Sequence, residues 1–497
     1  MRIISFLVAA FAANLAVAQG VSDSPERWQI HLTEDLLPFW DDPAAIGTPI
    51  GSFAGNLCND GTAPLSGTSC TGVSSFRASH PQQTLVSQSR QVFSYAVAFH
   101  MTGQQAYLDL AQAGLEYQFD TFLDADTGLF HEVLDISTGT LSSQFNSQKQ
   151  AYGLLGASFV HYLTGDADLY ARIAPIQQTI QTSYRDPSVG SYRPSLTQAL
   201  PADTIAHHLD QLNTYQTLLA SQAPLADRST LQADALQTAQ YLRDAFYDPT
   251  TNLMKPTLTT EDGSLANADY GHSIKSFWFI DQTAKLAGDT ELSRFAQNAA
   301  KALFETAYRE DMGAWHTNLD DSGIPSDQSH WWGFAELNQY AASLAIEDPS
   351  LRETLAATQS YWLENFVDGE NGGIWDSVNT ASGEADTEAA KHRQWKSGFH
   401  SFEHVLINYL SASAIEDGTA DLFFARSDLS ELELAYGFSG DLSFEDLDPF
   451  ADNAVQQVTV SNLTYATALA PVPLPAPLWL LAGSCLLLAR RAKQPKR

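Results

Sequence analysis

The fold class this sequence predicts is all-α: an (α/α)6 barrel with short β-hairpin loops gathered at one mouth, followed by a small C-terminal β-rich appendage. Three observations carry the expectation. Turn-rich segments of one pattern recur from Asp124, Asp186, Asp248, Glu310 and Asp368, with starts 62, 62, 62 and 58 residues apart, and a weaker copy from Gly51 brings the count to six. Each period holds two helical patterns, such as QTLVSQSRQVFSYAVAFHMTG and QAYLDLAQAGLEYQFDTFL, in which apolar residues return every three or four positions. Between paired helices stand Gly103, Gly165 and Gly288, placed to supply left-handed C-caps. Hairpins that hide one face only against neighbours form an open solenoid or a closed ring, and six copies without obvious polar caps favour the ring.

Taken in order, residues 1–18 read as a secretory signal: an early charge, an apolar stretch and small residues at Ala16 and Ala18, with cleavage expected after Ala18. The mature chain is therefore expected outside the cytoplasm. Residues 25–413 form the expected barrel domain, in which Cys58 and Cys70 share a Gly/Ser/Thr-rich loop and are expected to pair as a disulfide in an oxidising compartment. Each recurring segment reads as a short β-hairpin, an aromatic or apolar strand followed by a Gly- or Asp-containing turn. Residues 414–470 are acidic and strand-like, an appendage or linker with nothing that suggests chemistry. Residues 471–497 place a Pro-rich motif before an apolar run, Leu478 to Ala489, and a basic tail. That run is short of the ~20 residues a plain transmembrane helix needs. VPLPA, an apolar run and an arginine cluster together resemble the VPLPA variety of the PEP-CTERM sorting signal. The resemblance implies transient membrane anchoring, an exosortase-type processing enzyme as partner, and release to the periplasm, cell surface or medium.

The formal net charge of −32 repels phosphate backbones and argues against nucleic-acid binding. Aromatic residues crowd the mouth loops and the adjoining helix starts: Phe130, Trp315, Trp331, Trp332, Trp375 and Trp395. Indoles stack on the apolar faces of sugar rings, although about half of these tryptophans are expected in the core. Histidines stand at helix starts on the same side, at His207, His208, His272 and His400. Imidazole titrates near neutrality, so a neutral and a protonated ring facing one carbon can exchange proton-transfer roles. An arginine offers a permanent cation for the negative charge that develops. The stretch HSFEH, His400 to His404, also satisfies a zinc-peptidase pattern. A third ligand from a downstream helix is missing, so no metal is expected and His404 is assigned to support or packing.

In order along residues 27–412, SRQVFSYA, KQAYGLLGASFVHYLTGD, DTIAHHLD, GHSIKSFWFI, HWWGFAEL and WKSGFH resemble the signatures of the N-acylglucosamine 2-epimerase superfamily, which includes cellobiose 2-epimerases and aldose-ketose isomerases. What the resemblance implies is cofactor-free proton transfer at C2 of a mono- or oligosaccharide through an enediolate. His272 and His400 match the acid/base pair, Arg90 the arginine that steadies the oxyanion, and His207 the histidine that assists ring opening. Trp331, Trp332 and Trp395 match aromatic positions around the substrate, and Asp203, Asp210, Lys275, Glu336 and Glu403 complete the expected substrate-binding set. Three positions depart from the family pattern: Lys275 stands where cellobiose epimerases have glutamate, Ser401-Phe402-Glu403 replaces Asn-Gly-Arg, and Asp203 replaces asparagine. Lys275 and Glu403 are read as an exchanged ion pair between the two catalytic helices. The rivals are a glycoside hydrolase or lyase using Asp210 and Glu336 as its two carboxylates, and a noncatalytic glycan-binding protein.

Overall fold

The computed structural model describes residues 24–64, 70, 82–196, 204–212, 214–258, 268–320, 322–426, 428–447 and 455–465. Asp203, the signal segment and the sorting segment lie outside them. Among the described residues no helix is long and apolar enough to cross a membrane.

Six inner helices form the ring: α2 (Leu85–Thr102), α4 (Ser147–Thr164), α6 (Thr214–Gln222), α8 (Tyr270–Ala287), α10 (Trp331–Ala345) and α12 (Phe399–Glu416). Five are followed by outer partners: α3 (Gln105–Phe122), α5 (Ala167–Tyr184), α7 (Leu225–Tyr241), α9 (Thr290–Ala307) and α11 (Arg352–Tyr361). The sixth outer helix comes from the other end of the chain. It is α1 (Pro25–Ile30), continued by His31–Leu36 and Leu37–Trp40, and it packs on α12 while α12 also meets α2. The last pair is thus shared between the two chain ends, and the ring closes as expected.

Burial explains the two sequence patterns. In α2 every residue from Leu85 to Met101 is buried, whereas α9 buries only a stripe, Leu292, Ala296, Ala299, Ala300, Leu303, Phe304 and Ala307. An inner helix is covered on all sides, so it is apolar or hydrogen-bonded throughout; an outer one keeps a solvent face. Close contact between inner helices is also written in small residues. A Cβ at Gly156 of α4 would lie 2.6 Å from the Ser89 carbonyl of α2. The expected caps are present, with Gly103, Gly165 and Gly288 at φ of 68°, 63° and 73°.

The two barrel ends differ. At the mouth, antiparallel hairpins pair Leu123–Asp124 with Leu129–Phe130, Arg185–Asp186 with Ser191–Tyr192, Tyr247–Asp248 with Leu253–Met254, and Tyr308–Arg309 with Ala314–Trp315. In the fifth segment the bridge Val367 to Ile374 stands in for that hairpin, and the strand Ser377–Asn379 pairs with Gln328–His330 and Glu384–Ala385. The segment from Gly51 forms no hairpin in its described part. It crosses from α1 to α2, tied to the mouth by a bridge from Leu57 to His392, and Cys58 is disulfide-bonded to Cys70. At the opposite end lies the appendage, a three-stranded antiparallel sheet in which Gln456–Tyr465 runs between Ala420–Phe424 and Phe438–Asp446. It covers the tight turns: the Phe423 ring lies over Gly103, Arg426 over Gly165, and the Tyr465 hydroxyl donates to Asp281 at 3.0 Å.

Candidate active site

The first turns of the inner helices point into the mouth, and each repeat delivers its polar residues there. Arg90 comes from α2, Gln148 and Tyr152 from α4, His272 and Lys275 from α8, Trp331 and Trp332 from α10, and His400 from α12. Asp210, just before α6, and Trp395, just before α12, complete the lining of a cavity of about 250 Å³.

Each side chain is held by a specific partner. Asp269 caps α8, accepting from the His272 backbone N–H, and its second oxygen meets His272 Nδ1 at 2.6 Å, so the ring presents Nε2 to the cavity. One turn on, the Lys275 ammonium lies 3.7 Å from both the Asp210 and Glu336 carboxylates. Asp210 is fixed by the Tyr152 hydroxyl at 2.9 Å and by Gln148 Nε2 at 2.6 Å. His400 Nδ1 lies 3.0 Å from Glu336 Oε1. The Arg90 guanidinium donates to the Trp395 carbonyl at 2.8 Å and stacks 4.3 Å from the Tyr152 ring centroid. Its Nε is buried without a hydrogen-bond partner among the described residues. Both imidazoles meet one indole: the Trp332 ring is 4.7 Å from His272 and 6.1 Å from His400, centroid to centroid.

Electrostatics separate the two histidines. His400 is 5% exposed, and burial together with the charges of Lys275, Arg90, Lys396 and His272 holds its pKa well below the usual imidazole value. His272 is 39% exposed at the mouth; burial works against its charge, but the Asp269 carboxylate prevails and its pKa is raised. His272 therefore holds a proton more readily than His400. Burial, with Glu403 and Asp210 adding, pushes Glu336 up to about 8. Against the cost of its own burial, Lys275 is kept charged by Tyr152, Glu336 and Asp210.

Of the residues singled out in the sequence, Arg90, Asp210, His272, Lys275, Trp331, Trp332, Trp395 and His400 meet in this cavity. Three readings change. The ion pair expected between Lys275 and Glu403 is not the one formed: Lys275 pairs with Asp210 and Glu336, because these carboxylates come from the elements packed beside α8, whereas Glu403 stands on α12, beyond α10. Glu403 and Glu336 are fully buried beneath the cavity rather than lining it. Glu403 accepts from Gln339 at 3.2 Å and from Tyr436 at 3.1 Å, while Glu336 orients His400. His207 stands at the rim, bonded to Thr204 and with Nε2 3.1 Å from Asn146 Nδ2, and does not line the cavity. The two histidines of HSFEH diverge. The His404 ring packs 5.3 Å from Trp28 and 4.5 Å from Trp362, with Nε2 against Asn338, so they do not share a ligand position. Atoms of Glu336, His400 and Glu403 do come within 4.8 Å of one another, but Lys275 already supplies positive charge beside Glu336. Tyr152 and Gln148 were missed. For Tyr152 the signal was present: it stands six residues after its helix cap, Asn146, as Lys275 does after Asp269 and Arg90 after Thr84.

The mouth of this (α/α)6 barrel joins two imidazoles, an arginine and several indoles, an arrangement suited to holding a sugar and moving a proton on it. Residues 74–403 match the N-acylglucosamine 2-epimerase (GlcNAc 2-epimerase) family. The chain belongs to that family of carbohydrate epimerases and isomerases. A cellobiose 2-epimerase from Bacteroides fragilis is 20% identical over 398 residues, covering 76% of this chain and 96% of that protein. The cellobiose 2-epimerase structure from Spirochaeta thermophila superposes with a TM-score of 0.66 at 17% identity, over 79% of this chain and 97% of the other. A D-mannose isomerase structure gives 0.65 at 15% identity, over 79% and 98%.

Proposed function

We propose that this protein is an exported, cofactor-independent sugar 2-epimerase or aldose-ketose isomerase that moves a proton at C2 of a mono- or oligosaccharide. The observation that carries the reading is that His272 and His400 line one cavity, against one indole, with opposite proton affinities. Neutral His400 takes the C2 proton of the open-chain sugar, and the electron pair moves into an enediolate. Arg90 and Lys275 offset the charge on its oxygens. Delivery of the His272 proton to the opposite face of C2 gives the epimer; protonation at C1, with loss of the O2 proton, gives the ketose. The similarity to cellobiose 2-epimerases and a D-mannose isomerase supports an aldose or a reducing disaccharide as substrate.

Incubating the purified protein with aldoses and reducing disaccharides in heavy water, followed by proton NMR, tests the reading. Loss of the C2 proton signal is expected; sugars that bind without exchange would leave a glycan-binding protein instead. The hydrolytic alternative is disfavoured by Lys275, which occupies the space between Asp210 and Glu336 that a scissile bond and water would need.

The pH dependence has a defined sign. Activity that needs protonated His272 falls as pH rises through the pKa of that ring. Asp269→Asn keeps a capping side chain but removes the charge that raises this pKa, so the alkaline limb of the kcat profile is expected to move about one unit lower. A limb that stays in place refutes the assignment of His272 as the acid. For export, intact-mass measurement of the protein from culture fractions is expected to show cleavage after Ala18 and removal of the tail by an exosortase-type enzyme; a full-length cytoplasmic chain overturns it.

A further inference from the structure

The appendage does more than cover turns. Its residues 435–437 form a tight turn that puts Tyr436 in the left-handed region, φ 63°, a conformation that a bulky side chain adopts only when its surroundings impose it. The Tyr436 ring is buried and stacks on Trp278 of α8, centroids 5.7 Å apart and planes 7° from parallel. Its hydroxyl reaches into the barrel floor and donates to Glu403 Oε1 at 3.1 Å, while Gln339 of α10 donates to Oε2. Glu403 has no solvent exposure, and its carboxylate lies within 4.8 Å of both the Glu336 carboxylate and a His400 ring nitrogen. A residue from outside the ring thus ties together the three helices that carry the acid/base pair: α8 through the stack, α12 through Glu403, and α10 through the shared carboxylate.

We propose that Tyr436 is a positioning residue of this enzyme: from the closed end of the barrel it fixes the Glu403 carboxylate that stands against Glu336 and His400. The inference rests on the reading of His400 as an acid/base group. A hydrogen bond to a carboxylate favours its charged form, and a charged Glu403 favours the protonated form of Glu336, the partner of His400 Nδ1. The other charges facing this cluster are fixed from the remaining elements: Arg90 from α2, Lys275 and His272 from α8, and Asp210, held by Tyr152 of α4. Lys396, before α12, adds a buried amine 4.6 Å from the Trp331 ring centroid. Removal of the Tyr436 hydroxyl takes away its bond to the Glu403 carboxylate and leaves these charges in place.

The test is Tyr436→Phe in the full chain, which keeps the stacked ring. Kinetics and the nitrogen shifts of the His400 ring are both measured across pH. A bond to a charged group is worth about one pKa unit or more, so the acid limb of kcat is expected to move up by about one unit, because Glu403 takes up a proton more readily. About a tenfold loss of kcat is expected, with little change in KM. His400 nitrogen shifts should move in parallel. In a Glu403→Gln background the same change should leave the profile unmoved. An unchanged limb and unchanged His400 shifts, with only a lower Tm, would reduce Tyr436 to packing and overturn the inference, as would a shift that persists in Glu403→Gln. If no sugar exchanges its C2 proton but the His400 shifts still respond to Tyr436→Phe, the coupling stands and the assigned activity is what fails.

Discussion

Replacing His400 with asparagine is expected to lower kcat for C2 proton exchange by about 10²–10⁴-fold, the range lost when a positioned acid or base is removed. The loss should fall on kcat more than KM, because Trp331, Trp332 and Arg90 still surround the sugar. Asparagine retains a donor for Glu336, so the fold is expected to survive and the variant should still bind sugar. His272→Asn is expected to behave alike, and the two changes together should cost little more than either alone, because a two-base transfer stops when one end is missing. Deuterium uptake at C2, followed by NMR in each variant, decides the matter: wild-type rates in either would remove that ring from the mechanism.

The second large effect concerns Lys275. Lys275→Met leaves Asp210 and Glu336 facing each other without the buried ammonium that lies 3.7 Å from each. Breaking a buried pair in this way typically costs about 3–5 kcal/mol, and activity should be lost along with stability. The sign of the pH dependence follows from the charges. Burial already pushes Glu336 up to about 8, and without the cation its folded-state pKa rises further above that of the unfolded chain. The folded state then binds more protons, so the variant gains stability as pH falls toward the unfolded values and loses it as pH rises. Urea midpoints at pH 5 and pH 8 should therefore diverge more in Lys275→Met than in the parent chain. Equal midpoints would mean that the lysine does not neutralise the pair.

Much of the fold was legible because its signals are local and repeated. A recurring period locates the mouth loops, glycine locates the turns at the other end, and three- and four-residue apolar spacing distinguishes helices from connections. The site was legible for a related reason: when every repeat contributes its first helical turn to one place, His272 and His400 need only matching positions in their repeats to converge. What was not legible depends on contacts across the ring. The partner of Lys275 could not be read, since Asp210, Glu336 and Glu403 are all carboxylates at suitable positions and only the crossing of α8, α10 and α12 selects two of them. The burial of Glu336 and Glu403 was missed for the same reason. No period marks α1 as the sixth outer helix, because its partner lies at the far end of the chain. Tyr436 was passed over because a strand-rich, acidic segment gives no local hint that one of its side chains enters a helical core.

The helix shared between the chain ends has a consequence for biosynthesis. Because α1 is made first and α12 last, the circle stays open until nearly the whole catalytic region has left the ribosome, and its apolar inner helices wait for a seam that only the final one can seal. Folding is then governed by a contact spanning almost four hundred residues, which slows the closing step. It also leaves an unclosed chain for as long as translation lasts.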